Sequence, residues 1–139
     1  VPLKIALPKG RLLRGTAALL QKAGWALDEY HSRLSFYRPK SAKFPELQIK
    51  VLHEKDIPIQ VAVGNYDLGI CGRDWLEELQ VKYPSSALVR LSDLGYGRAA
   101  LWVVAHPSPG FASLAAIKAG NGIIRIASEY PHLAEAFAL

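Results

Sequence analysis

Short apolar runs that suit β-strands alternate along this chain with stripes of 3.6-residue period, and this ordering limits the possible folds more than any other feature. Leu3 to Leu7 is a continuous apolar run, the pattern of a strand buried on both faces. Leu12, Thr16, Leu19, Leu20 and Ala23 then fall on one helical stripe, closed by Gly24. Further strands are predicted at Arg33 to Tyr37, at Leu47 to Val51, where apolar residues alternate, and at Tyr66 to Cys71. Between the last two, Asp56 is placed to N-cap a helix over Ile57 to Val63, with Pro58 in its first turn and Gly64 at its end. After Gly72-Arg73-Asp74 comes a short helix through Leu79. Strands at Ala87 to Leu91, Ala99 to Ala105 and Gly122 to Ala127 follow, with a short helix near Leu114 to Ala119 and a final helix. Alternation of this kind predicts an α/β fold with a largely parallel sheet.

In such sheets ligands occupy the crevice beyond the carboxyl ends of the strands. After the first strand stand Lys9, Gly10 and Arg11; after the fourth stand Gly72, Arg73 and Asp74; after the last stand Ser128, Glu129 and Tyr130. Cations, small residues and isolated carboxylates at these points suit a charged, hydroxyl-rich ligand. A strand end that opens a helix adds free N–H groups and a positive dipole, a natural place for phosphate. Solvated turns also collect polar residues and glycine, so the pattern by itself leaves the ordinary loop reading open. The net charge of +5 favours polyanionic partners without choosing among them.

Several classes of chemistry have no support in the sequence. No Gly-x-Gly-x-x-Gly follows the first strand, and no Walker-type phosphate loop is present. The four histidines show no metal-ligand spacing, and no Gly-x-Ser-x-Gly elbow occurs. The aromatic residues form no platform among basic ones, which speaks against single-strand nucleic-acid binding. A single cysteine, Cys71, excludes an internal disulfide and suits a reducing compartment, where it reads as a small buried residue at a strand end. No membrane-span or export-signal pattern is visible, so a soluble cytoplasmic protein with neither membrane nor nucleic-acid partner is expected.

Four stretches carry a resemblance. LKIALPKGRL (3–12), EKDIPIQVAVGNYDLGICGRDWL (54–76), LSDLGYGRAALWVVA (91–105) and IRIASEYPHLAEAF (124–137) resemble, in order and spacing, the ATP phosphoribosyltransferase family, which catalyses the first step of histidine biosynthesis. The resemblance implies transfer of phosphoribosyl from phosphoribosyl pyrophosphate to N1 of ATP, with release of pyrophosphate and with Mg2+ carried by the substrate. It also implies two α/β domains resembling type II periplasmic binding proteins. The first spans residues 1–95 and the second starts at 96–139, and the chain is expected to be C-terminally incomplete.

By the same resemblance, Arg11 and Arg33 match the family's phosphate-contacting arginines, with Arg11 the better match for the departing pyrophosphate. Lys9 and Gly10 lie beside that contact, and the lysine is equally suited to be a solvated turn residue. Gly72 and Asp74 fall near the nucleotide or ribose, where Asp74 also suits a helix cap. Glu129 and Tyr130 fall beside the nucleotide, a tyrosine being able to cover a purine face or to pack in a core. Arg73 reads as a surface residue. The family's acidic strand and Thr/Ser-Gly-rich turn for the ribose phosphate lie downstream of the SEYP stretch, so the 139-residue chain is expected to have little activity by itself. The family implies a homo-oligomer, in some members with a separate regulatory subunit. A non-catalytic solute- or anion-binding module of the periplasmic type is the alternative reading.

Overall fold

The computed structural model describes residues 2–33 and 37–139. At its centre is a parallel sheet of three strands, β1 (Lys4–Pro8), β2 (Gln48–Leu52) and β3 (Leu68–Gly69), in the order β2-β1-β3. Ile5 lies opposite Ile49 on one side and Leu68 on the other, and Leu7 lies opposite Val51. The sequence order of burial follows from this topology. The central strand β1 is buried at four successive positions, as its unbroken apolar run requires, whereas β2 alternates between buried and less buried residues.

Helix α1 (Leu13–Lys22) follows β1 after a single 3₁₀ turn at Gly10–Leu12. It buries Leu13, Thr16 and Leu20 and ends before Gly24, whose φ of +76° is the left-handed conformation that stops a helix. Ile5, Leu7, Leu13, Leu20, Ile49, Val51 and Tyr30 form one core, and Trp25, Leu27, Leu68 and Ile70 pack at its margin. Burial of such side chains contributes roughly 1.5–3 kcal/mol each. Tyr30 also donates its hydroxyl to the Pro8 carbonyl at 2.6 Å, tying the loop after α1 to the end of β1.

The second crossover runs from β2 through α2 (Ile57–Ala62) to β3. Asp56 does occupy the N-cap position, but its side chain makes no capping hydrogen bond. A 3₁₀ turn at Glu54–Asp56 leads directly into α2 instead. Helix α3 (Arg73–Lys82) follows β3, and the carboxyl-terminal part contains α4 (Leu114–Ala119) and α5 (Pro131–Ala138). Helix α5 packs against α3. No helix among the described residues is long and apolar enough to cross a membrane.

Three predicted strands are not found. Residues 87–91, 99–105 and 122–127 join no ladder among the described residues, and Val89, Trp102 and Ile123 are 81%, 82% and 95% exposed. An apolar, β-branched run favours the extended chain only where a neighbouring strand accepts its hydrogen bonds and covers its side chains, and here none does so. The strand predicted at Arg33 to Tyr37 falls largely on residues 34–36, outside the described residues.

Candidate active site

The turn after β1 begins with Lys9, whose amide donates to the Leu52 carbonyl at 3.0 Å and so closes the β1–β2 edge. Gly10 follows with φ +80°, a conformation that side-chain-bearing residues avoid, and starts the 3₁₀ turn that brings Arg11 over the strand ends. Lys9 Nζ lies 4.9 Å from the centre of the Tyr37 ring, a cation–π contact that draws it to the β2 side.

Arg11 is the hub of the site. Its Nε donates to Glu54 Oε1 at 2.9 Å, Nη1 donates to the Gly97 carbonyl at 2.9 Å, and Nη2 reaches Asp74 Oδ1 at 3.4 Å. Glu54 stands at the carboxyl end of β2 and Asp74 in the first turn of α3, so three separate segments converge on one guanidinium. Trp75 Nε1 donates to the same Glu54 oxygen at 3.2 Å. The other oxygen, Oε2, is buried and has no hydrogen-bond partner among the described residues. The Arg11 side chain is 39% exposed, which leaves part of its fork toward solvent.

Gly72 is explained by the same constellation. A Cβ there would stand 2.8 Å from Arg11 Nη2 and closer still to Asp74 Oδ1, so any side chain would split the Arg11–Asp74 pair. Asp74 makes no capping bond at the start of α3. It accepts instead from Arg11 and from the Tyr130 hydroxyl. The Tyr130 ring stacks on Trp75 with centroids 4.1 Å apart and planes inclined by 29°. Burial, together with the hydrogen bond to Asp74, pushes the Tyr130 phenol above the ordinary tyrosine range.

These residues surround a cleft of about 440 Å³ lined by Lys9, Gly10, Arg11, His53, Glu54, Lys55, Trp75 and Glu129. Of the predicted site residues, the structure therefore gathers Lys9, Gly10, Arg11, Gly72, Asp74, Glu129 and Tyr130 at or beside one cleft. Arg33 is elsewhere: it lies in an exposed turn where its amide donates to His31 Nδ1 at 3.2 Å, and it does not line the cleft. A second hollow of about 530 Å³, against α1 and Ala26–Ser32, shares no residue with the strand-end cleft.

Sequence reasoning missed Glu54, Trp75 and Gly97. Glu54 could have been found, because the end of the Leu47–Val51 strand obeys the same strand-end rule as the others. Trp75 follows Asp74 directly but carries an apolar pattern typical of a core residue. Gly97 contributes only a backbone carbonyl, for which no side-chain signal exists.

Cys71 is half-buried at the end of β3. Burial, with the Glu54 and Asp74 carboxylates nearby, pushes its thiol up to about 11. It is therefore a poor nucleophile at neutral pH. Among the described residues no group of three or more His, Cys, Asp or Glu side chains is arranged to hold a metal ion.

Fold and site together define an α/β protein with a parallel sheet whose strand ends carry a cation, paired carboxylates and an aromatic stack around an open cleft. The family model described as "HisG: ATP phosphoribosyltransferase" matches residues 53–139, more than half of the chain. An ATP phosphoribosyltransferase of Nitratidesulfovibrio vulgaris (strain DP4) is 35% identical over 108 residues, covering 75% of this chain and 34% of the relative. One from Halothermothrix orenii is 33% identical over 136 residues, covering 95% of this chain and 56% of the relative. The chain belongs to the ATP phosphoribosyltransferase family. It spans between a third and three-fifths of the length of these relatives.

Proposed function

We propose that the full gene product transfers the phosphoribosyl group of phosphoribosyl pyrophosphate to N1 of ATP, the first step of histidine biosynthesis. Membership of the family supports the reaction, and the observation that ties it to this chain is Arg11, fixed at the end of β1 by Glu54, Asp74 and the Gly97 carbonyl. In the reaction the bond from ribose C1 to the pyrophosphate oxygen breaks as the bond from C1 to adenine N1 forms. Negative charge grows on the departing pyrophosphate. A guanidinium whose orientation is already set can meet that charge without reorganising, which is where an electrostatic contribution is largest.

Arg11 spends one N–H on each of its three partners among the described residues. A guanidinium has five, so its fork retains donors for phosphate oxygens. Lys9 and Gly10 stand beside it as further phosphate contacts. Asp74, Gly72, Glu129 and Tyr130 form the nucleotide side, with the Trp75–Tyr130 stack offering an aromatic edge to the adenine. Arg33 is proposed as a second phosphate contact, supplied by its loop when substrate is bound. Magnesium enters bound to the pyrophosphate of the substrate.

The same reading includes a two-domain architecture of the periplasmic-binding type, divided near residue 95, a cytoplasmic location and a homo-oligomer, with or without a separate regulatory subunit. The deciding experiment is an assay of ATP N1-ribosylation and pyrophosphate release. The full gene product should turn over and the 139-residue chain should be nearly inactive. ATP binding with no turnover by the full gene product would favour a binding module and defeat the proposal.

A further inference from the structure

Glu78 lies on α3 outside the cleft, and the residue is only 7% exposed. A buried carboxylate is tolerated when its oxygens are matched by donors. Here both are. Oε1 accepts from the His132 amide at 2.8 Å and lies 2.8 Å from His132 Nδ1, and Oε2 accepts from the Leu133 amide at 2.8 Å. Those amides belong to the first turn of α5, where N–H groups have no partner within the helix and the dipole end is positive.

Asp74 and Glu78 are four residues apart on α3 and so share one face of that helix. Asp74 receives the Tyr130 hydroxyl, Trp75 receives the Tyr130 ring, and Glu78 holds the two amides just after Tyr130. Tyr130 is itself the N-cap residue of α5. Its ring, its hydroxyl and the chain that follows are thus fixed by three residues within about one turn of a single helix. Trp75 in turn donates to Glu54, which holds Arg11. The neighbouring Glu77 contributes nothing to this arrangement, since it pairs with Arg73 at 2.7 Å on the exposed side.

We infer that Glu78 is a positioning residue for the nucleotide side of the cleft: by anchoring the start of α5 it sets where Tyr130 lies over Trp75 and against Asp74. The inference rests on the proposed reading of this cleft as an ATP site. Without Glu78 the first turn of α5 loses its acceptors, the Tyr130–Trp75 stack loosens, and Asp74 is left to Arg11 alone.

The test measures amide hydrogen exchange and ATP binding on the full gene product, as wild type and as Glu78→Gln, Glu78→Ala and Glu77→Gln. Gln keeps the size of Glu78 but replaces one acceptor by an NH2 group, so it remains informative if the alanine variant fails to fold. Exchange at the His132 and Leu133 amides should accelerate at least about tenfold in both Glu78 variants, with the β1–β2 amides unchanged. ATP affinity should fall by at least about fivefold in the same variants, and Glu77→Gln should alter neither readout. Faster exchange with unchanged ATP affinity reduces Glu78 to a helix cap and overturns the inference. Unchanged exchange overturns it at its first step. Absence of ATP binding by the wild-type protein overturns the nucleotide reading and the positioning role with it, while the exchange data still report separately whether Glu78 holds α5.

Discussion

Arg11 and Gly97 are joined across 86 residues of sequence, with Arg11 Nη1 donating to the Gly97 carbonyl at 2.9 Å. The segment that carries Gly97 is strapped onto α1 by its neighbour. The Tyr96 hydroxyl lies 2.6 Å from Thr16 Oγ1, which itself donates to the Leu12 carbonyl, and Thr16 is fully buried. Gly97 has φ +70°, and a Cβ there would run into Leu12. The glycine-rich link therefore does more than connect two parts of the chain, because it presents a backbone carbonyl to the guanidinium from a position where a Cβ would strike Leu12.

Replacing Arg11 by lysine keeps the charge and removes the planar fork that reaches three acceptors at once. In the full gene product, turnover should fall by about 10²–10³-fold, the scale seen when one oriented donor is lost from a charge-stabilising site. Steady-state kinetics with phosphoribosyl pyrophosphate as varied substrate measure this. A variant with near-normal turnover would remove Arg11 from the chemistry.

The Tyr96 strap makes a sharp demand on Gly15. An added Cβ would stand 2.5 Å from Tyr96 Cδ2, so Gly15→Ala must push the ring off Thr16. Overpacking of this kind costs about 1–3 kcal/mol, against which the helix-propensity gain of alanine is smaller. Urea denaturation should show the loss, and in the Tyr96→Ala background the same substitution should become neutral or stabilising.

The thiol of Cys71, raised to about 11 by burial, should alkylate slowly at neutral pH. The iodoacetamide rate should climb through pH 9 to 11, whereas unfolded chain in urea reaches its plateau earlier. A native rate equal to that of the unfolded chain at pH 8 would contradict the assignment.

Alkaline stability follows from the same physics. Burial raises the Cys71 thiol above its ordinary 9.0 and raises the Tyr30, Tyr96 and Tyr130 phenols above their ordinary 10.0. The native state thus holds these protons more tightly than the unfolded state. Their contribution is fully present below pH 9 and is lost as pH rises through the folded values. The urea midpoint should be flat from pH 7 to 8.5 with respect to these groups and fall beyond pH 9. A midpoint that rises between pH 9 and 10.5 would contradict the reading.

Much of this was legible in the sequence, and the misses are instructive. The unbroken apolar run of β1 announced a strand covered on both faces, and Gly24 marked the end of α1. Lys9, Gly10 and Arg11 were recognisable because a strand end facing a helix start has one electrostatic character whatever surrounds it. The runs at 87–91, 99–105 and 122–127 have equally strong strand character, yet a strand is a pairing, and pairing is a property of two segments rather than one. Arg33 rests on the resemblance to the family's second phosphate arginine rather than on its own surroundings, and in the structure it lies in an exposed turn outside the cleft. Gly97 and Glu78 act through partners 86 and 54 or 55 residues away, distances at which local patterns carry no information, whereas Glu54, 43 residues from Arg11, was within reach of the strand-end rule.

The placement of β1 between β2 and β3 has a consequence for the chain as it leaves the ribosome. Of the three strands, the one made first is the one in the middle, and its two neighbours arrive only with Gln48 and Leu68. At a synthesis rate of about 5–20 residues per second, β1 is exposed for about 3–13 s before the second edge exists. Until β2 emerges the most apolar strand of the sheet has two open edges, and until β3 emerges it still has one, which makes the nascent chain, rather than the finished protein, the form more exposed to wrong pairing.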